Sequence, residues 1–146
     1  MPYFPDSSAA RHLRIDARMQ TEQLNDLSYR IIGAGIEVHR GIGPGLLEST
    51  YRTCMIYELR QRGMDVVSEQ VIPIRYKTLI LDGGYRVDLI VDDTIVVELK
   101  SLETVLPVHH AQVLSYLRHT KKPLGLLMNF NVAVLADGVE RIKNGY

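Results

Sequence analysis

Between Tyr85 and Ser101 the chain reads YRVDLIVDDTIVVELKS, two runs rich in Val, Ile and Leu on either side of a short acidic turn. β-Branched residues in runs this short pack well on a pleated surface and crowd a helix, so the stretch predicts two strands of a buried sheet. The rest of the chain must cover that sheet. Three charges, Asp88, Glu98 and Lys100, stand inside the runs, where burial makes an unpaired charge costly. Their presence needs a chemical reason.

Glu98 and Lys100 are two residues apart on one strand, so their side chains leave the sheet on the same face, while Val97 and Leu99 point to the other. Asp88 belongs to the preceding strand. A two-residue turn at Asp92 and Asp93 would pair Val91 with Thr94 and put Asp88 opposite Val97, which sends Glu98 to the wrong face. A three-residue loop, Asp92 to Thr94, or a β-bulge brings Asp88 opposite Glu98. Two carboxylates and a lysine then converge. Hard divalent cations such as Mg²⁺ take a few oxygen ligands and keep waters for substrate, and a nearby lysine offsets phosphate charge and favours a hydroxide nucleophile. The bland alternative is an ion pair on a solvated sheet face, with Asp88 joined to Arg86 or Lys100.

The 146 residues are long enough to bury one core without staples, and the single Cys54, in an apolar helical pattern, predicts a core role in a reduced compartment. Seventeen Lys plus Arg balance seventeen Asp plus Glu, so a nucleic-acid partner would have to be met by local clusters of charge. No apolar run approaches a membrane span and the opening residues lack the apolar middle of a signal peptide, which predicts a cytoplasmic protein with no membrane partner. A flexible polar arm is expected over residues 1–20, ahead of one domain over residues 21–146.

Apolar residues recur at helical spacing from Glu22 to His39 (Leu24, Leu27, Ile31, Ile32, Ala34, Gly35, Val38), and GIGPG ends that helix. A second helix is expected from Gly45 or Leu46 to Arg62, burying Leu47, Tyr51, Cys54, Met55 and Leu59, with Gly63 as its left-handed stop. The following segment alternates in strand fashion, and DGG (Asp82 to Gly84) supplies a turn into the opening stretch. A third helix follows Pro107, roughly Val108 to Thr120, and two closing strands end the chain. The order is ααβββαβ(β), an α/β (α+β) layout with helices against a mixed sheet.

On the third helix Gln112 and Tyr116 are i and i+4, just after the strand that ends in Lys100, so polar groups there face the same site. Near the start of the second helix Glu48 and Tyr51 are i and i+3, which offers a third carboxylate. Each also has a structural reading: Glu48 paired with Arg52, and both tyrosines in the core. Gly41, Gly43 and Gly45 read as a helix-to-helix turn, because no Lys-Ser/Thr follows and a helix precedes them. His109 and His110 have no partner at metal-finger spacing, and His39 reads as helix-end chemistry. Arg11, Arg14 and Arg18 read as a solvated arm, with phosphate contact the minority alternative.

Asp88, then Glu98-Leu99-Lys100, then Gln112-Val113-Leu114-Ser115-Tyr116 resembles the PD-(D/E)XK nuclease superfamily, in its RecB-like branch with a Q-x-x-x-Y helix. Gly45, Glu48 and Tyr51 in GLLESTY match the G-x-x-E-x-x-Y signature of a small bacterial and archaeal family within it. The resemblance covers about Leu24 to Tyr146. It implies a restriction-endonuclease-like core with a mixed four-stranded sheet flanked by helices, and a Mg²⁺ or Mn²⁺ site built by Glu48, Asp88 and Glu98. Lys100 would assist the attacking water, while Gln112 and Tyr116 would position lysine, metal or phosphate. Val87 stands where the superfamily has a proline before the aspartate. The function implied is metal-dependent hydrolysis of phosphodiester bonds in DNA, ahead of RNA, in a chain able to form a homodimer. The alternative is a silent nuclease-like module that binds or regulates through a protein partner or an oligomer.

Overall fold

The two apolar runs do form neighbouring strands, and a sheet of five, in the order β1-β2-β3-β4-β5, is built outward from them. The computed structural model describes the backbone of residues 7–145 and the side chains of residues 21–145. Along the chain these are α1 (Ser7–Ile42), α2 (Glu48–Gln61), β1 (Val66–Tyr76), β2 (Leu79–Val91), β3 (Ile95–Lys100), α3 (Pro107–Thr120), β4 (Leu124–Asn129), a 3-10 turn (Leu135–Gly138) and β5 (Val139–Lys143). Only β3 and β4 pair in parallel, joined by the α3 crossover, and the other neighbours are antiparallel. The mixed α/β layout matches the expected order, and β5, pairing antiparallel with β4, makes the sheet five-stranded.

Burial divides the helices between the two faces of the sheet. Leu27, Ile31, Ala34 and Val38 of α1 and Tyr51, Met55 and Leu59 of α2 share one core cluster with Leu89, Val91, Val97, Leu99, Leu126 and Met128. Val113, Tyr116 and Leu117 of α3 pack with Ile90, Val96 and Leu127. Strand period two explains the split, since alternate residues of β3 and β4 feed opposite clusters. All six residues of β4 and the first five of β3 are buried, as expected for parallel strands covered on both faces.

Three boundaries depart from the sequence reading. Helix α1 begins at Ser7, well before Glu22, while the first six residues of the expected arm lie outside the described residues. Leu47, expected on the buried stripe of α2, is instead an extended residue ahead of the helix and 74% exposed. The Asp82 to Gly84 segment is not the turn: the chain reverses at Lys77 and Thr78, and residues 82–84 lie inside β2. There the register jumps from Ile72↔Tyr85 to Ile74↔Leu81, so three residues of β2 bulge opposite Pro73, which has no N–H to give a ladder. Gly83, at φ 79°, takes the left-handed conformation that this bulge requires.

Candidate active site where strands β2 and β3 part

Val91 pairs with Ile95, Ile90 with Val96 and Leu89 with Val97, leaving residues 92–94 as a three-residue loop. This is the register that sets Asp88 opposite Glu98 on one face. Asp92 and Asp93 both adopt positive φ, 49° and 52°, a conformation that aspartate tolerates in turns. The Asp92 carboxylate accepts the Asp65 N–H at 2.7 Å and Thr94 N–H donates to Val91 O at 3.0 Å, which ties the irregular loop down.

Beyond Leu89↔Val97 the ladder between β2 and β3 stops, while β3 stays paired with β4 as far as Lys100↔Asn129. The Asp88 side chain fills the gap: its Oδ2 accepts the Leu99 N–H at 2.8 Å. Its Oδ1 accepts Arg52 Nη2 from α2 at 3.2 Å. Arg52 Nη1 reaches Glu69 on β1 at 3.4 Å, where Glu69 sits at φ 52° in a strand position that has no ladder partner. The guanidinium therefore bridges two strands. Its Nε is buried and has no hydrogen-bond partner.

Glu98 is served differently. The residue is 6% exposed, its Oε1 lies 3.5 Å from Lys100 Nζ, and its Oε2 is buried with no hydrogen-bond partner. Burial, and next the charge of Asp88, push the Glu98 carboxyl up to about 7, against the lowering effect of Lys100. Tyr116 on α3 lies in the same field. Burial, then the charges of Glu98 and Asp88, push its phenol up to about 12, so it stays neutral at physiological pH, and its ring meets Tyr85 edge-on at 5.0 Å. Asp88, Glu98, Lys100 and Tyr116 are thus brought together. Gln112 stands one turn earlier than Tyr116 on α3, half-buried.

Glu48, the expected third carboxylate, opens α2, half-buried and one turn before Arg52, so the two side chains share a helix stripe. Among the described residues no group of three or more His, Cys, Asp or Glu side chains is gathered closely enough to hold a metal ion. What meets Asp88 from α2 is Arg52. The ion pairs of Arg52 are with Asp88 and Glu69 rather than the alternative one with Glu48, and Asp88 forms an ion pair with neither Arg86 nor Lys100. Tyr51 has the core reading: fully buried, it stacks on Phe130 at 4.4 Å, donates its hydroxyl to Gly43 O at 2.6 Å and accepts the Leu46 N–H at 3.1 Å. That hydroxyl fixes the loop in which Gly45, at φ 87°, leads into Glu48.

Sequence reasoning missed three further supports. Ser101 Oγ donates to Leu46 O at 2.6 Å, tying the end of β3 to the loop before α2. Buried Asn129 accepts the Leu102 N–H at 3.0 Å and donates to Leu102 O at 2.9 Å, which fixes the chain just past Lys100. Arg52 was legible only as a neighbour of Glu48, because nothing local announces a partner 36 residues away. The three histidines weighed in the sequence have structural partners: His109 Nδ1 accepts the Leu106 N–H at 2.8 Å, His110 meets Glu140 at 2.7 Å, and buried His39 contacts Val132 O at 2.8 Å.

The family model of the PD-(D/E)XK nuclease superfamily matches residues 25–142, and the chain belongs to that superfamily. The match takes in α2, the Asp88, Glu98 and Lys100 strands and the α3 helix. No curated protein and no solved structure matches the chain significantly. Among the described residues no helix is long and apolar enough to cross a membrane.

Proposed function

We propose that this chain is a divalent-metal-dependent nuclease that cleaves phosphodiester bonds of DNA, ahead of RNA, and that it belongs to the G-x-x-E-x-x-Y group and the RecB-like branch with its Q-x-x-x-Y helix. The observation that supports this best is the orphaned Oε2 of Glu98, a buried acceptor beside a second carboxylate and a lysine, carried by an acid that burial pushes up to about 7. A buried carboxylate left half-satisfied is costly for structure alone and suits a cation. The donors, carboxylate oxygens, are those that Mg²⁺ or Mn²⁺ takes. Asp88 and Glu98 would hold the ion; Glu48, the third carboxylate of the sequence reading, is not gathered with them and would have to turn toward them on α2. What a bound ion supplies is Lewis acidity toward a phosphate oxygen and the attacking water. Lys100 places an ammonium beside Glu98, where negative charge grows as phosphate is attacked, and the neutral Tyr116 phenol closes the site on the α3 side.

One observation favours the second reading, a silent module: both oxygens of Asp88 already have partners within the protein. Lys100→Met separates the two. The change keeps the aliphatic stem and removes the ammonium, so the nuclease reading expects Mn²⁺-dependent cleavage of single- and double-stranded DNA to fall roughly a hundredfold to a thousandfold, with melting temperature nearly unchanged. Wild-type protein free of contaminating nuclease that cleaves neither DNA nor RNA with any divalent ion would establish the module instead.

A further inference from the structure

Arg52 is the one cation of α2 that enters the site, and its position is unusual for a surface ion pair. The side chain is 22% exposed and the Asp88 carboxylate 13%, and the Nε that completes the guanidinium is buried without a partner. Its two terminal nitrogens are divided between Asp88 at 3.2 Å and Glu69 at 3.4 Å. On the other side of Asp88, Glu98 Oε2 is the orphaned acceptor. A donor and an acceptor of opposite charge are thus left unsatisfied on either side of one carboxylate. Each carboxylate has a cation from the protein, Arg52 at Asp88 and Lys100 at Glu98, but only Glu98 keeps an oxygen without a partner.

We infer that Arg52 is a resident counterion that competes with the divalent ion for Asp88, and so sets the metal affinity of the site; this rests on the metal-dependent reading above. The reasoning is electrostatic. Asp88 Oδ2 is committed to the Leu99 backbone, so Oδ1 is the oxygen with most freedom to turn to an ion, and Oδ1 is the one Arg52 holds. Any ion at Asp88 must weaken that bond and also bear the repulsion of the nearby guanidinium. Glu69 offers Arg52 an alternative anchor on β1, so the guanidinium can shift toward it without becoming unpaired. Arg52 is therefore a positioning residue for the metal, acting through Asp88.

Calorimetric titration of the full chain with Mn²⁺ tests this, using wild type, Arg52→Met and Arg52→Lys. Removing one nearby like charge is expected to tighten Mn²⁺ binding by roughly tenfold in Arg52→Met. Arg52→Lys, which keeps the charge but loses the fork that spans Asp88 and Glu69, should tighten it by about threefold and serves as the test where Arg52→Met does not fold. Without metal the Met variant should melt below wild type, and saturating Mn²⁺ should narrow that gap. A folded variant that binds Mn²⁺ no more tightly than wild type, while wild type does bind, overturns the role of Arg52 alone. Absence of Mn²⁺ uptake by wild type and variants alike overturns the metal-dependent reading and this inference together.

Discussion

The two carboxylates that face one another across β2 and β3 live in opposite circumstances. Asp88 is answered on both oxygens, by a backbone N–H of β3 and by the Arg52 guanidinium of α2. Glu98, a strand away, is more deeply buried, has Lys100 at 3.5 Å as its charged partner, and keeps one oxygen without a hydrogen-bond partner. The difference follows from topology. Asp88 lies where the antiparallel ladder ends, so the splayed strands expose an N–H that its carboxylate can take, and α2 passes over that end. Glu98 lies inside the parallel pair with β4, which runs on to Lys100↔Asn129, so the strand carrying it is not splayed on that side. One acid is therefore built into the fold and the other is held available. Two carboxylates in such unlike surroundings are suited to different roles, although they are chemically equal groups.

The largest effect should come from the acid that is built in. Asp88→Ala leaves the buried Leu99 N–H without an acceptor and takes away one of the two carboxylates that Arg52 bridges. Breaking a partly buried ion pair that also satisfies a backbone donor costs about 3 kcal/mol. Urea denaturation should show that loss with an unchanged slope. Glu98→Ala should cost far less in stability, since it removes an unsatisfied charge along with its packing. Equal destabilisation by the two changes would break the comparison.

The acid held available should reveal itself through pH. Glu98 titrates near 4.5 in the unfolded chain and near 7 when folded, so the folded state holds the proton more tightly. That preference contributes stability in full below about 4.5 and is lost as pH rises through about 7. The chain without metal should thus weaken between pH 5 and 7.5, by up to about 3 kcal/mol for a shift of this size. In Glu98→Gln, neutral throughout, that part of the slope should vanish. Mg²⁺ or Mn²⁺, which favours the ionised acid, should restore stability above pH 7 and release a proton on binding below it. A pH slope unchanged in Glu98→Gln would show that the cost of burying this acid is met by some other group.

How much of this was legible in the sequence depended on how far apart the partners lie. The three-residue loop at 92–94, which sets Asp88 across from Glu98, could be reasoned from strand period, and the register of the pairs from Leu89↔Val97 to Val91↔Ile95 agrees with it. Helices α2 and α3 were legible because their apolar spacing, the stop at Gly63 and the start at Pro107 are local signals. The reversal between β1 and β2 was misplaced because Asp82 to Gly84 carries turn chemistry, yet a bulge opposite Pro73 uses the same residues; Lys77, at φ 54°, makes the real turn without a glycine. The Arg52 bridge was out of reach for another reason. An arginine on a helix meets its carboxylate through the packing of α2 on the sheet, and no spacing rule encodes that distance.

The smallest expected effect concerns the α2 side alone. Tyr51→Phe retains the ring stacked on Phe130 and removes only the hydroxyl that links Gly43 O and the Leu46 N–H. Two backbone groups of the loop before α2 then lose a partner, but the loop is partly exposed, so water can replace much of the loss and about 1 kcal/mol is expected. The loop's other tie, Ser101 Oγ to Leu46 O, remains and limits how far it can move. Because Arg52 follows within a turn of this loop, the change should alter how α2 presents it to Asp88, and metal affinity should shift by a small factor. The Glu98 half of the site is held by β3, β4 and α3, none of which touches the hydroxyl. Its pH-dependent stability should be the same in Tyr51→Phe as in wild type, measured by thermal scans at pH 5 and 7.5. A changed pH slope in this variant would mean that the two acids form one electrostatic unit, and that the separate roles given to Asp88 and Glu98 are wrong.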